Sequence, residues 1–473
     1  MHVYSQYFLR LNHCLKNFYS YLIIFFFFLS SLDAVAKGTC QPKFSLDQYP
    51  QKQVLKESKK NPVFVFFDGS LSMQGFVKDQ AGQKNLYRDV VDDLQQISEN
   101  VGTKTFYHRF GSTVEPIAEN EIARVTKPRF YICDKSQAKC NNQETRLELA
   151  FKAAKANKNG TYIIVTDLFL SNKQLVGSTL SSLTAPLKSI LKNGKSIGVF
   201  GVMSSFNGTI YDIPAKEGGT IKYKDAKKRP FYIIVIGDQK NINRIKNNLE
   251  EQHFIDPGDQ YKYALITSSP VLQNLNQNKI ITKDNISGIS NTANLKFEYS
   301  GNNLPVYNFD TRKNQKMTFD VKNSEIVVPG TGISSFNIKE NLWSSKETSC
   351  RKINTSDWRQ AKVKSISSWK ANENDKLSIN LFEKFPLKKL FTGYRYFYVA
   401  SIYADKPGNL SEETFNDWSM RDSEAEDFKN TNPVVFKTLN LVKIIKILNS
   451  VAKDVFEPTL VANIALNFNL VKK

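Results

Sequence analysis

The chain has 473 residues; 41% are hydrophobic, 12% aromatic and 23% charged, and 65 Lys and Arg against 45 Asp and Glu give a formal net charge of +20. At roughly 100–200 residues per domain this length suggests two or three domains, and the balance excludes collagen-like, disordered and coiled-coil classes. Only one apolar run is long enough to engage a bilayer, which excludes a multi-span membrane protein, and only four histidines (His2, His13, His108 and His253) are available for imidazole chemistry.

The chain opens with an address. Tyr21 to Leu29 (YLIIFFFFL) follows Arg10 and Lys16 and precedes Ala34-Val35-Ala36. A basic region, a short apolar core and a small-x-small end make a secretory signal, so residues 1–36 are expected to be cleaved and the protein exported to a periplasmic or extracellular space. An uncleaved N-terminal membrane anchor is the alternative. Cleavage would remove Arg10, Lys16 and Asp33 and leave the net charge almost unchanged. Residues 37–60 form an arm. Export suits the cysteines that would remain, Cys40, Cys133, Cys140 and Cys350. Of the three pairings open to them, a local Cys133–Cys140 bridge comes first, which leaves Cys40 for Cys350.

Residues 61–255 alternate strand and helix. Pro62–Phe67 is a continuous apolar run, as a strand buried on both faces requires. Leu86, Val90, Leu94, Ile97 and Val101 recur at helical spacing before Gly102. Strands are predicted over Lys104–Phe110 and Arg129–Ile132, and a helix through Leu147, Ala150, Phe151 and Ala154. There follow a strand over Thr161–Thr166, a helix ending at Asn193-Gly194, strands over Ile197–Met203 and Phe231–Ile236, and a helix with Ile242, Ile245 and Leu249. This is the pattern of an α/β fold, a doubly wound, mostly parallel Rossmann-like sheet covered on both faces. From 256 to 430 short β-type runs appear without helices, including Tyr261–Thr267, Glu325–Val328, Leu377–Phe382 and Tyr394–Tyr403, which predicts a β-rich domain. Asp422–Asp427 (DSEAED) reads as a solvated loop. Asn432-Pro433 then supplies an N-cap and first turn for a terminal helix within 431–473. Its apolar stripe (Phe436, Leu439, Val442, Ile445, Leu448) and its lysines predict an amphipathic helix docked on a core.

Asp68-Gly69-Ser70-Leu71-Ser72 follows the first strand, where open α/β sheets bind their ligands. Asp68, Ser70 and Ser72 present a carboxylate and two hydroxyls on alternate residues. Thr145, at the start of a helix, and Asp167, at the carboxyl end of the strand TYIIVT, fall at matching places. Hard oxygen donors suit Mg²⁺ first, with Mn²⁺ or Ca²⁺ as alternatives. The set resembles the von Willebrand factor A family and its metal-ion-dependent adhesion site. That family's motif is D-x-S-x-S after the first strand, then a Thr before a helix, then an Asp after a later strand. The resemblance covers residues 61–255. Leu168 stands where the family often has Gly, and Glu144 where a Gly usually precedes the Thr. The resemblance implies binding and not turnover: a divalent cation on Asp68, Ser70, Ser72, Thr145 and Asp167, its open position filled by an acidic residue of a partner protein.

The same loop also looks like the GDSL esterase signature with Ser70 as nucleophile, but the order Asp68-Gly69 is reversed and His253, in EEQH, does not make the D-x-x-H that chemistry needs. His108 reads as an ordinary strand residue. The positive charge can favour anionic surfaces. Nucleic acid is not an expected partner of an exported protein.

Overall fold

The computed structural model describes residues 60–133, 144–157, 159–169, 179–215, 218–253, 261–268, 278–280, 289–299, 302–310, 317–322, 333–346, 355–361, 368–372, 376–381, 390–407, 412–425, 427 and 431–471. The segment 1–36 expected to be a signal, Cys40, Cys140, Cys350 and the strand expected over Glu325–Val328 lie outside the described residues. Cys133 is disulfide-bonded.

The run predicted as a doubly buried strand is β1 (Val63–Asp68), in which only Phe64 is partly exposed. A 3-10 turn, Leu71–Phe76, leads toward α1 (Leu86–Val101), which ends before Gly102 as its spacing predicts. β2 (Thr105–Phe110) and β3 (Val114–Ile117) form a hairpin. The strand expected over Arg129–Ile132 is instead a 3-10 turn, Pro128–Tyr131. Pro128 supplies a preset φ at the start of that turn and has no N–H for a ladder. α2 (Leu147–Ala156), β4 (Thr161–Thr166), α3 (Thr179–Lys192) and β5 (Ser196–Ser205) follow. A small hairpin, β6 (Ile210–Pro214) and β7 (Thr220–Tyr223), precedes β8 (Lys228–Gly237), α4 (Gln239–His253) and β9 (Tyr261–Ile266).

Seven of these strands form one sheet in the order β3-β2-β1-β4-β8-β5-β9. The layered α/β architecture is as expected. The sheet is parallel at its centre, β2-β1-β4, but it is mixed overall: β8 runs antiparallel to both β4 and β5, and β9 antiparallel to β5. The connection explains the difference. Parallel neighbours need a long crossover, usually helical. Between β5 and β8 the chain carries only the β6–β7 hairpin, so it returns antiparallel. β9 also extends this sheet past the boundary expected at 255.

One face of the sheet, with Val63, Val65 and Phe67 of β1, packs against Val90, Leu94 and Ile97 of α1 and Ile242, Ile245 and Leu249 of α4. The other, with Phe66, Ile164 and Ile234, packs against Phe151 of α2 and Leu187 of α3. His108 stacks on Phe66, 4.8 Å between ring centres, as a strand residue on that second face.

The later part of the chain is β-rich. Its strands are β10 (Asn278–Ile280), β11 (Ile289–Tyr299), β12 (Asn302–Asp310), β13 (Met317–Lys322), β14 (Ile333–Ser345), β15 (Arg359–Gln360), β16 (Ser368–Asn372), β17 (Lys376–Leu381) and β18 (Arg395–Pro407). There follow α5 (Glu412–Asn416), β19 (Ser419–Met420), α6 (Asp422–Ala425), β20 (Thr438–Leu439), α7 (Leu441–Val455) and β21 (Thr459–Val471). A second sheet runs β11-β12-β21-β18-β14-β15, with β10 also on β21, and β13-β17-β16 forms a separate antiparallel sheet. The final segment is thus a central strand of the second sheet and not a tail. Asp422–Ala425, expected in a loop, is a short helix whose Asp422 accepts a hydrogen bond from the Asn440 side chain at 2.9 Å.

The terminal helix begins at Leu441 and not after Asn432-Pro433. The intervening residues stay extended because their backbone pairs with the start of β8. Lys227 and Lys228 donate to the Val434 carbonyl, and Phe436 donates to that of Lys228. This seats Phe436, fully buried, in the first core. α7 is amphipathic as predicted: Leu441, Ile444, Ile445, Leu448 and Val451 are buried in the second core beside α3. Among the described residues no helix is long and apolar enough to cross a membrane.

One close approach ties the loop after β1 to the loop after β5. A Cβ on Gly208 would lie 2.6 Å from the Gly75 Cα, and Asn207 donates its backbone N–H to the Gly75 carbonyl at 2.8 Å. Because the obstacle is backbone, Gly208→Ala is expected to cost about 1–3 kcal/mol, the usual range for overpacking. A urea titration showing an unchanged midpoint would contradict this contact.

Candidate functional site

The site is built at the carboxyl edge of β1 and β4. Val63 to Phe67 drive β1 into the interior, so its last residue, Asp68, is delivered there fully buried. The chain must then turn. The Asp68 Oδ1 accepts the backbone N–H of Ser70 at 2.9 Å, an Asx-type turn that starts the 3-10 segment. Gly69 donates its N–H to the Phe110 carbonyl, and Arg109 Nη2 donates to the Gly69 carbonyl at 3.0 Å. A Cβ on Gly69 would fall 2.2 Å from Arg109 Nε, so a larger residue there would displace the Arg109 side chain. Ser70 Oγ lies 2.9 Å from Ser72 Oγ, in hydrogen-bond contact. Ser70 is buried and Ser72 is partly exposed.

Thr145 arrives from a second loop, two residues before α2. Arg146 donates its N–H to the Gly111 carbonyl, which docks this loop beside the end of β2. The Thr145 hydroxyl lies 3.3 and 3.2 Å from Asp68 Oδ1 and Oδ2. The third loop follows β4. Thr166 Oγ1 donates to Asp68 Oδ2 at 2.7 Å. Asp167 is fully buried, and its Oδ1 accepts the Phe169 N–H at 3.1 Å. Leu168 between them has φ +48°, a left-handed conformation that costs a non-glycine residue about 1–2 kcal/mol. This is the position where the adhesion-site pattern often carries Gly. Burial of the Leu168 side chain in the second core offsets that strain.

Of the five residues singled out in the sequence, Asp68, Ser70, Ser72 and Thr145 are joined by these contacts, while Asp167 follows Thr166 at the same sheet edge, its charge acts on Asp68, and its own contacts are with Phe169 and with β8. Sequence reasoning missed two more. Thr166 was read only as the end of a strand, although it makes the shortest bond to Asp68. Arg229, near the start of β8, is fully buried, with Nη2 2.9 Å from Asp167 Oδ2. Its guanidinium lies 5.1–5.9 Å from the ring centres of Phe76, Phe169 and Phe206.

The electrostatics follow from this burial. Asp68 is pushed up to about 7, first by loss of water and then by the negative charge of Asp167, against the bonds from Ser70 and Thr166. Burial lowers the Arg229 guanidinium, and Asp167 opposes that shift. Arg229 stays charged at any ordinary pH. Two carboxylates and one guanidinium thus leave the site at −1 when both acids are ionised.

The donors fit a hard cation. Adjacent oxygens of an octahedron with metal–oxygen distances of about 2.0–2.1 Å are about 2.9 Å apart, and Ser70 Oγ and Ser72 Oγ already have that separation. Asp68, fully buried beside a second acid, is the group a cation would relieve. Among the described residues no three His, Cys, Asp or Glu side chains cluster as a metal site. Compared with family models, with curated proteins and with solved structures, the chain matches none.

Proposed function

We propose that this is an exported binding protein whose α/β domain holds a divalent cation, Mg²⁺ first, on Asp68, Ser70, Ser72, Thr145 and Asp167. In this reading the cation engages an acidic residue of a partner protein. The observation that carries it is the convergence of three loops, far apart in sequence, on one buried carboxylate, with oxygen–oxygen separations of 2.7–3.3 Å. Capping a turn would account for Asp68 and Ser70 alone. It does not require Thr145 and Thr166 on the same carboxylate.

The resemblance to von Willebrand factor A adhesion sites agrees with this chemistry. Asp68, Ser70 and Ser72 would hold the ion, Thr145 would complete the hydroxyl set, and Asp167 would add charge directly or through water. When bound, the ion supplies an electrophilic position that a carboxylate can fill. A site that changes from −1 to +1 on loading favours an anionic group. The excess of Lys and Arg over the chain adds a long-range attraction for acidic surfaces. For the alternative hydrolase, Ser70 Oγ is hydrogen-bonded to Ser72 Oγ, and no observation favours it as a nucleophile.

The test is calorimetric titration of Mg²⁺ and Mn²⁺ into the metal-stripped full chain. Saturable binding at one site is expected. Heats indistinguishable from dilution would reduce the D-G-S-L-S loop to a polar turn and remove the adhesion reading with it.

A further inference from the structure

The cation reading leaves Arg229 unexplained, and that residue carries the inference. A guanidinium at 0% exposure is among the largest fully buried side chains in the protein. Among the described residues its ion pair is with Asp167 Oδ2, also at 0% exposure. Among the described residues Nε, Nη1 and Nη2 are all buried without a hydrogen-bond partner, the Nη2–Asp167 contact being an ion pair without hydrogen-bond geometry, and three aromatic rings surround the group. A buried pair kept only for stability is a poor bargain, since apolar residues of similar volume usually serve as well or better. The position of the pair matters more. Asp167 is one of the two acids of the candidate cation site, and Arg229 takes one of its two oxygens, while the Phe169 N–H takes the other.

We propose that Arg229 is a resident positive charge that sets the electrostatic balance of the cation site. It holds cation affinity down and leaves the loaded site net positive, so that an acidic ligand is required to complete it. This rests on the cation reading above. Without Arg229 the two acids would total −2, a divalent ion would neutralise them, and the attraction for a carboxylate would disappear. With Arg229 the loaded site stands at +1. In the absence of a cation the same guanidinium keeps Asp167 from being buried as an unpaired charge. Arg229 is thus a specificity-determining residue of the site and not a metal ligand.

Arg229→Met, close in volume and uncharged, is the decisive variant, with Arg229→Lys as the charge-conserving control. Titrated with Mn²⁺, the full-length Arg229→Met protein is expected to bind at least tenfold more tightly than wild type. Arg229→Lys should stay within about threefold of wild type. Thermal unfolding supplies the second readout: Mn²⁺ should raise the midpoint of Arg229→Met more than that of wild type, because the ion replaces the missing charge. Equal affinity in wild type and a folded Arg229→Met would overturn the inference while leaving the cation site standing. If Arg229→Met does not fold in EDTA, millimolar Mn²⁺ should restore a cooperative transition, and failure to restore it counts against the proposal. Wild type without binding and Arg229→Met with binding would overturn the cation function of the natural chain but support Arg229 as the charge that stands in for the ion. No binding by either protein would end both readings.

Discussion

Asp68→Asn is expected to weaken Mn²⁺ binding by well over 100-fold, and Asp68→Ala to abolish it. Removing a residue that merely orients a metal ligand typically costs 10–100-fold in affinity. Asp68 is in the centre of the cluster, bonded by the Ser70 N–H and by the hydroxyls of Thr145 and Thr166. Its loss removes a direct donor and half of the negative charge together. Asn keeps one oxygen acceptor in the same place, so the fold should survive. The substitution even relieves the cost of burying a carboxylate without water. Calorimetry of both variants beside wild type, with urea unfolding as the control for folding, checks the prediction. Binding retained in a folded Asp68→Asn would remove Asp68 from the ligand set, and with it the basis for any cation at this edge.

The second large effect is on stability against pH, measured without metal. Asp68 titrates near 7 in the folded protein, against an ordinary carboxylate value of 3.8. Between those values the folded state holds a proton that the unfolded state has released. Stability therefore rises as pH falls through 7, levels off below about 4, and is lowest above 7. At about 1.4 kcal/mol per unit the contribution is on the order of 4 kcal/mol. Other acids in the chain have their own pH dependence, so the useful quantity is the difference between wild type and Asp68→Asn, which mimics the protonated form. In EDTA, Asp68→Asn should be more stable than wild type by a few kcal/mol at pH 8, and by less than half as much at pH 5. Saturating Mg²⁺ should reverse the result at pH 8, because the ion binds the ionised carboxylate and displaces the proton. The same wild-type-to-Asn difference at pH 5 and pH 8 would show that Asp68 is not held near 7.

Much of the site was legible in the sequence because it depends on local rules. An apolar run without polar interruption must be a strand buried on both faces, and the first polar residue after it must lie at the strand's end. PVFVFF followed by Asp68, and TYIIVT followed by Asp167, obey this rule. Helical spacing located Thr145 just before α2. Since β1 and β4 are parallel neighbours, those ends coincide. The 3-10 turn at Pro128 and the late start of α7 were less legible, because each was decided by competition. Pro128 favoured a turn over a strand that Arg129–Ile132 could otherwise make. Backbone pairing of Val434–Phe436 with the start of β8 outweighed a good helix cap at Asn432.

The α/β layering, the buried ends of two strands and the chemistry of their oxygen donors follow from residue patterns, since periodicity and residue type act over a few residues. The direction of β8 depends instead on long-range assembly of the sheet. In a parallel strand Arg229, near its start, would lie at the far edge of the sheet from Asp68. In the antiparallel β8, with Thr166 opposite Tyr232, it lies beside Asp167. Strand direction depends on the connection between β5 and β8 and on which neighbours complete the sheet, and a local run such as FYIIVI has the same pattern read either way. The charge of the site was therefore set by a residue whose distance from it no local spacing records.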